Sequence, residues 1–544
     1  MDNQPATSPQ PSLPETAPKP PVSKPPGLLR SSALVGAMTM LSRVLGLIRD
    51  VVLARVIGAD GLADAFFVAF KIPNFLRRLF AEGAFAQAFV PVLAEYRQRG
   101  SHAAVQALVD RVAGALGSVL FLLTGLVMLG APVATALFAP GFIGDPERFE
   151  AASTMIRITF PYLLLISLTG LSAGILNSHD RFAIPAITPV WLNLCLIAAA
   201  LIGAAWFTQP AYALAWGVLV AGVVQLLFQI PFLLGIQLLP KPVIDWHYDG
   251  VKRILKLMAP AIFGVSVSQI NLLLDTVIAS FLPTGSVSWL YYSDRLSELP
   301  LGVFGVALAT VILPNLSRQH VAANAGVFAA TIDWAMRMVL LVAVPATLAL
   351  VILAEPILTT LFYDGRQIDA RDVAMSALSL RAYALGLIAF MLIKVLAPGF
   401  FARQDTATPV RIGIVAMAAN MVLNFALVIP LHHYWQVGHM GLALATSAAA
   451  YLNGYLLYRG LRRQGVYTPA PGWWLFIARM AAANAVMVTV LVVLSGQLDG
   501  WFEWSVGSRG LWLAAICGAG GGAYLLVLLA AGLRWRHLRP AAGS

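Results

Sequence analysis

The chain has 544 residues, of which 59% are hydrophobic and only 11% charged, and a formal net charge of +11. Soluble globular chains carry about 25% charged residues, so this composition excludes an ordinary cytosolic domain and makes a lipid bilayer the main solvent. The basic residues are scattered through short loops and apolar runs instead of gathering on one soluble face, which excludes nucleic acid as a partner.

Residues 1–28 are rich in Pro, Ser and Lys, contain no continuous apolar stretch, and read as a disordered cytoplasmic tail rather than a cleaved signal. From there, hydrophobic runs broken by Gly, Pro and charge predict helices over 30–57, 63–98, 104–139, 148–178, 182–208, 211–238, 251–282, 286–319, 325–363, 370–402, 408–431, 438–463, 473–495 and 509–533. Runs such as Val112 to Ala139 and Met338 to Ala354 reach or approach the roughly 20 residues needed to cross the hydrocarbon core. In lipid each backbone polar group needs a partner within the chain, and the ten-residue alternation of a membrane barrel is missing, so helices are the only reading left. The expected fold is therefore an all-α polytopic membrane protein of about fourteen transmembrane helices. Cys195 and Cys517 each lie inside an apolar run and read as core residues, with no disulfide or metal role.

Loops after even-numbered helices carry Arg97, Arg99, Arg181, Lys241, Arg318, Arg403, Arg459, Arg462 and Arg463, while the loops after odd-numbered helices are poorer in basic residues and mixed with acids. The positive-inside bias then puts both termini in the cytoplasm, as an even helix count requires. The chain also repeats itself weakly. Ala86 to Leu93 resembles Ala309 to Leu316 around Pro91 and Pro314, and Gly174 to Asp180 parallels Gly399 to Asp405 at nearly the same spacing. These matches suggest two pseudo-symmetric six-helix lobes, 29–240 and 241–465, with the substrate path between them. Helices thirteen and fourteen (466–535) and a short cytoplasmic tail (536–544) fall outside the repeat.

Ionisable residues within a span cost several kilocalories per mole and usually face a bundle interior or a water-filled cavity. Helix one carries Arg43, Arg49, Asp50 and Arg55; Arg43 and Asp50, seven residues apart, share a face. Helix two carries Asp64, Lys71, Arg77, Arg78 and Glu82, and Pro73-Asn74 should kink it. Helix eight contains Tyr291, Asp294, Arg295 and Glu298, with Arg295 and Glu298 at i, i+3. Arg30, Arg55, Arg97 and Arg99 lie near span ends and read as snorkelling charges. Arg78 with Glu82 reads as an internal pair, and Arg157, Asp333 with Arg337, Arg381 and Lys394 as anchors or pairs. Arg43, Arg49, Arg77 and Arg295 lie deeper and exceed their acidic neighbours. Guanidinium groups bind phosphate bidentately and stay charged, so these four suit a diphosphate held in a partly dry cavity. An organic-cation pump would need the opposite excess.

The stretches Ser42-Arg43-Val-Leu-Gly46, Arg49-Asp50, Asp64 to Asn74, Arg77 to Pro91 and Tyr291 to Leu296 closely resemble the MurJ (MviN) family of lipid II flippases, within the multidrug/oligosaccharidyl-lipid/polysaccharide exporter superfamily. The resemblance spans about 29 to 535. It implies two lobes forming a V around a cationic cavity, with the last two helices making a groove for a polyprenyl tail. The implied function is translocation of undecaprenyl-pyrophosphate-linked disaccharide pentapeptide across a bacterial inner membrane for peptidoglycan synthesis, without a cofactor. Its implied partners are lipid II, membrane lipids and the cell-wall synthesis machinery. The family's essential cavity arginines fall on Arg43, Arg49, Arg77 and Arg295. Ser42, Asp50, Asp64, Asn74, Asp294 and Glu298 match gating or cavity-lining positions, with Gly46, Gly58 and Pro73 as hinges. No metal is implied by the arginine sites; Asp275 in helix seven is a weak candidate for a cation site reported in some relatives. The alternatives are a flippase for another polyprenyl-linked glycan and a multidrug or cation antiporter of the same fold. An enzyme is disfavoured: His432 and His433 fall in a short outward loop, and no phosphate-binding G-x-x-x-x-G-K-[ST] motif is present.

Overall fold

The computed structural model describes residues 28–78, 85–321, 324–496 and 500–533, with side chains except at 28–33, 261, 263–269, 305–311, 314 and 321. The expected Arg78–Glu82 pairing, the Arg30 side chain and both tails lie outside the described residues. All regular elements among the described residues are helical. α1 (Leu28–Ile57) is followed by α2 (Gly61–Arg77) and α3 (Phe85–Arg99) in the second predicted run. α4 (His102–Leu129) and α5 (Ala131–Phe138) fill the third, α6 (Pro146–Thr159) and α7 (Tyr162–Ser178) the fourth, and α8 (Ala183–Leu201) and α9 (Pro210–Gly235) the next two. The second half holds α10 (Asp249–Ser280), α11 (Ser286–Pro300), α12 (Val306–Val321), α13 (Ala325–Ile352), α14 (Ala354–Leu361), α15 (Ala370–Phe401), α16 (Ala407–Trp435) and α17 (Gly438–Arg463). α18 (Trp473–Ser495) and α19 (Val506–Ala530) complete the described chain.

Several predicted helices are segmented. The third is interrupted at Gly130, just before Pro132, and the fourth at Phe160–Pro161, where proline removes a backbone donor. The fifth ends at Leu201, seven residues early, and passes into a 3-10 turn over Gly203–Trp206. The eighth is divided by a π-helical segment, Leu301–Gly305, directly after Pro300. His432 and His433 are not in a loop: they belong to the last turn of α16, which runs on to Trp435.

Nine helical runs among the described residues are long and apolar enough to cross a membrane. The runs outside that set include α1, α2 and α11, which bear most of the ionisable residues singled out above. In the first half α8 packs on α1 and α9, α7 on α9, and α6 along α2; in the second, α17 packs on α15 and α16, and α15 on α11 and α13. α10 belongs to both, packing on α3 as well as on α16. The α18–α19 pair docks on α13 and α14.

Turns in the two halves are alike, one residue out of step with the match of Gly174–Asp180 to Gly399–Asp405. Asp180 and Gln404 both adopt the left-handed conformation after corresponding helices, and the next residue donates back to the helix, Arg181 to the Leu176 carbonyl and Asp405 to that of Phe400. Gly58 before α2 and Gly285 before α11 form a second matching pair at positive φ.

Prolines inside spans leave carbonyls that need another donor. Pro73 strips the Ala69 carbonyl of its helical partner, and the Thr159 hydroxyl of α6 supplies it at 3.2 Å. Pro345 does the same to Leu341, whose carbonyl accepts from the Tyr524 hydroxyl of α19 at 2.8 Å. Tyr524→Phe should therefore lower stability by about 1 kcal/mol, read as a lower melting temperature in detergent. An unchanged midpoint would show that the Leu341 carbonyl finds another donor.

Candidate functional site

α1 and α11 meet at a buried charge cluster. The Asp50 and Arg49 side chains are only 2% and 6% exposed, and a buried charge persists only when paired and hydrogen-bonded. Asp50 Oδ1 accepts from Arg49 Nε at 2.9 Å, from Arg49 Nη2 at 2.7 Å and from the Tyr291 hydroxyl at 2.9 Å. Its other oxygen faces Arg295 Nε at 3.6 Å. Arg49 also donates from Nη2 to the Tyr291 hydroxyl at 3.2 Å and from Nη1 to Asn193 Oδ1 at 3.0 Å. Arg295 reaches Glu298 at 3.2 Å and lies over the Tyr291 ring, 5.2 Å from its centroid. Sequence reasoning placed Arg49 beside the Arg43–Asp50 face as a surplus charge; the structure instead pairs it with Asp50, its own chain neighbour.

The cluster grades outward from this core. The Arg295 side chain is 31% exposed and that of Glu298 44%. The half-buried Arg43 guanidinium lies against Gly302, where any Cβ would collide with it, so a glycine in the π segment gives that arginine its seat. Asp294 sits in the field of Glu298, Arg295, Lys71 and Arg78, and Lys71 Nζ donates to the Thr276 hydroxyl at 3.4 Å. Arg77, half-buried, is the last residue of α2; Asn74, one turn earlier, donates to the Phe70 carbonyl.

Asn193 of α8 is the residue sequence reasoning missed. It accepts from Arg49 and donates from Nδ2 to the Ser42 carbonyl at 3.0 Å, stitching α8 to α1 one turn from Gly46. The available signal was a single Asn in an otherwise apolar run. Asn193→Leu strips Arg49 of one acceptor in a buried site, and transport by the variant should fall roughly tenfold with the fold retained, measured by lipid translocation in vesicles.

A second polar junction ties α2 to α11. Asp64, 1% exposed, accepts from the Gly285 N–H at 2.8 Å and from the Ser288 N–H and hydroxyl at 2.9 and 2.7 Å. α11 has no side-chain cap of its own, so a carboxylate from another helix satisfies its first turn and complements its dipole. Nearby, Gly58 ends α1 in the left-handed conformation, with no room for a Cβ beside the Gln367 carbonyl, and its own carbonyl accepts from the Tyr292 hydroxyl at 2.6 Å. Trp289 Nε1 donates to Asp372 at 2.9 Å, joining α11 to α15. α2 runs unbroken through Pro73.

The remaining charges are placed elsewhere. Asp275 accepts from Asn424 at 2.8 Å and the Thr446 hydroxyl at 3.4 Å, within the second half. A cavity of about 430 Å³ between α10, α15, α16 and α17 lies beside it, lined by Asn271, Asn420, Thr446, Asn453 and apolar side chains. Asp333 pairs with Arg337 at 2.8 Å and accepts from Tyr467 and Trp473, holding the chain that enters α18. Arg381 pairs with Glu355, and Arg157 donates to the Met128 carbonyl.

The sequence profile described as "Lipid II flippase MurJ" matches residues 53–511. A protein of Vibrio cholerae named "Probable lipid II flippase MurJ" is 50% identical over 523 residues, 94% of this chain and 98% of that one. One of Burkholderia cenocepacia named "Lipid II flippase MurJ" is 45% identical, covering 85% and 89%. Among solved structures, "Lipid II flippase MurJ, inward closed conformation" superposes with a TM-score of 0.77 at 25% identity over 91% of this chain and 98% of that one. A structure titled "Inward-facing conformation of a multidrug resistance MATE family transporter of the MOP superfamily" shares the fold, with a TM-score of 0.62 at 15% identity over 80% of this chain and 98% of that one. Matched over most of its length by such relatives in sequence and in fold, this multi-pass inner-membrane chain belongs to the lipid II flippase MurJ family.

Proposed function

We propose that this chain, a lipid II flippase and not an enzyme, holds the diphosphate of undecaprenyl-linked lipid II on Arg43, Arg49, Arg77 and Arg295 and carries it to the outer leaflet by alternating access. The observation that supports this reading most is the cluster joining α1 to α11, in which Arg49 and Arg295 share Asp50 and Arg295 also reaches Glu298. The more exposed end, Arg295 with Glu298 and Arg43 on Gly302, is where substrate oxygens displace resident acids. A diphosphate carries more charge than one carboxylate and engages two guanidiniums at once, so it outcompetes Glu298 for Arg295. Asp50 stays with Arg49 and keeps α1 in register with α11.

Neutralising the surplus positive charge lets the lobes rock about the bound headgroup. Ser42, Asn74 and Asp294 line that path, and Gly46, Gly58 and Pro73 are where α1 and α2 adjust. With both termini cytoplasmic, the Asp64 junction closes the outer side while Glu298 faces the inner one. The lobes correspond to 29–240 and 241–465, and α18–α19 shelter the polyprenyl tail. Membrane potential resets the empty carrier, since each positive charge fully crossing 100 mV gains about 2.3 kcal/mol toward the negative inside. Delivered lipid II then meets the cell-wall synthesis machinery.

Depleting the protein in its host should make lipid II accumulate on the cytoplasmic side. Accumulation of another lipid-linked glycan with lipid II unchanged would overturn the assignment.

A further inference from the structure

Asp64 poses a problem of balance that its three bonds from α11 solve only while α11 is present. If the halves separate at this junction, the Gly285 N–H, the Ser288 N–H and the Ser288 hydroxyl leave together, and a 99% buried carboxylate loses these three donors at once. A buried charge stripped of its partners is strongly destabilising, so the open state needs a replacement. Any replacement must travel with α2 and not with α11.

Arg148 meets that condition. It lies in the first turn of α6, the helix packed along α2 and bonded to it through Thr159 and the Ala69 carbonyl. Its Nη1 stands 3.9 Å from Asp64 Oδ2, near enough for attraction and too far for a hydrogen bond. The rest of the side chain is held in place. Nε donates to Asp145 Oδ2 at 2.7 Å, and the guanidinium lies over the Phe142 ring, 4.9 Å from its centroid. The aliphatic stem crosses α2 at Gly61, where a Cβ would come within 2.9 Å of Arg148 Cγ and Cδ. Asp145, outside the span, is kept below the usual carboxylate range by the Arg148 backbone N–H and then by its guanidinium, so it stays ionised and anchors the Nε edge. That leaves the Nη edge for Asp64.

We propose that Arg148 is a positioning residue of transport: it takes over the Asp64 carboxylate when α11 withdraws, exchanging a carboxylate–helix N-terminus contact for a carboxylate–guanidinium pair. The exchange lowers the free-energy gap between the closed and open junction, since Asp64 is never left unpaired. It rests on the alternating-access reading above.

The test uses the full chain in lipid nanodiscs, with Cys195 and Cys517 replaced by Ser and spin labels on Ile143→Cys and Thr284→Cys, two exposed positions on opposite sides of the junction. The unmodified junction should show a short and a long distance, the long one growing with lipid II. Arg148→Gln should reduce the long-distance population roughly tenfold or more, with flipping falling in parallel. Asp64→Asn alone should open the junction, and adding Arg148→Gln to it should then change the long-distance population less than twofold, because a neutral amide needs no counter-charge; a merely structural Arg148 would lower that population in either background. Arg148→Lys, which keeps the charge, should retain at least half of it, and it decides the matter if the Gln variant fails to reach the membrane. An Arg148→Gln protein that opens like its parent, or a Lys variant as closed as the Gln one, overturns the exchange role alone. A parent protein with a single distance under all conditions overturns alternating access itself.

Discussion

Replacing Arg295 by alanine is expected to cut lipid II flipping by roughly 30- to 700-fold while the protein still inserts and folds, the loss equivalent to about 2–4 kcal/mol of substrate binding. Two effects act in the same direction. One guanidinium is removed from the diphosphate clamp, and the acids it served are exposed: Asp50 Oδ2, 3.6 Å from Arg295, and Glu298, 3.2 Å from it, are left to repel the incoming phosphate. Folding should survive, because the buried core of the cluster, Asp50 with Arg49 and Tyr291, keeps its own bonds. Arg295→Lys should fall in between, since an ammonium keeps the charge and loses the bidentate fork. Translocation of labelled lipid II in vesicles reads the effect; full transport by the alanine variant would sink the clamp.

Asp64→Ala is expected to fail for a different reason. The change leaves three donors in the first turn of α11 without an acceptor in a buried junction. Each unsatisfied donor costs about 1–3 kcal/mol, partly recovered by water, so the closed junction should lose about 3 kcal/mol, roughly a hundredfold in its population. The protein should then rest with this junction open, binding lipid II but not cycling. The two variants thus separate: Arg295→Ala loses substrate binding, and Asp64→Ala keeps binding and loses turnover. Spin labels at positions 143 and 284 should report the longer distance without substrate in the Asp64→Ala protein. Retention of the short distance would show that Tyr292 with Gly58, not Asp64, holds the junction.

The two experiments probe opposite ends of one helix. α11 offers its N-terminus to Asp64 and, less than three turns later, Arg295 to Asp50, so it is held to the first half at two places by groups of opposite sign. A ligand that competes at the arginine end has a lever on the carboxylate end through a rigid helix only 15 residues long. The irregular part follows at once: Pro300 and the π segment Leu301–Gly305, with Gly302 seating Arg43.

Much of this was legible from the residues alone. A helix makes its backbone bonds locally, and lipid forbids the alternatives, so run length and composition determined that the chain is a helical membrane protein. The cost of charge in hydrocarbon singled out Arg43, Arg49, Arg77 and Arg295 together with Asp50, Asp64 and Glu298 without any contact being known. Helix ends and breaks were less legible, because Pro161, Gly130 and Pro300 interrupt apolar runs whose hydropathy does not change across them. Partners were not legible at all. Asn193 meets Arg49 from 144 residues away, and Asp64 caps a helix 221 residues on. In water the polar face of a helix shows which way it turns, but in a bilayer the lipid-facing and partner-facing sides are both apolar, so periodicity loses the rotation of each helix about its axis. Sequence alone determined which charges the membrane must contain; only the tertiary packing, by fixing those rotations, decided that Arg49 is bound to Asp50, that Asn193 orients it, and that Arg148 stands ready beside Asp64.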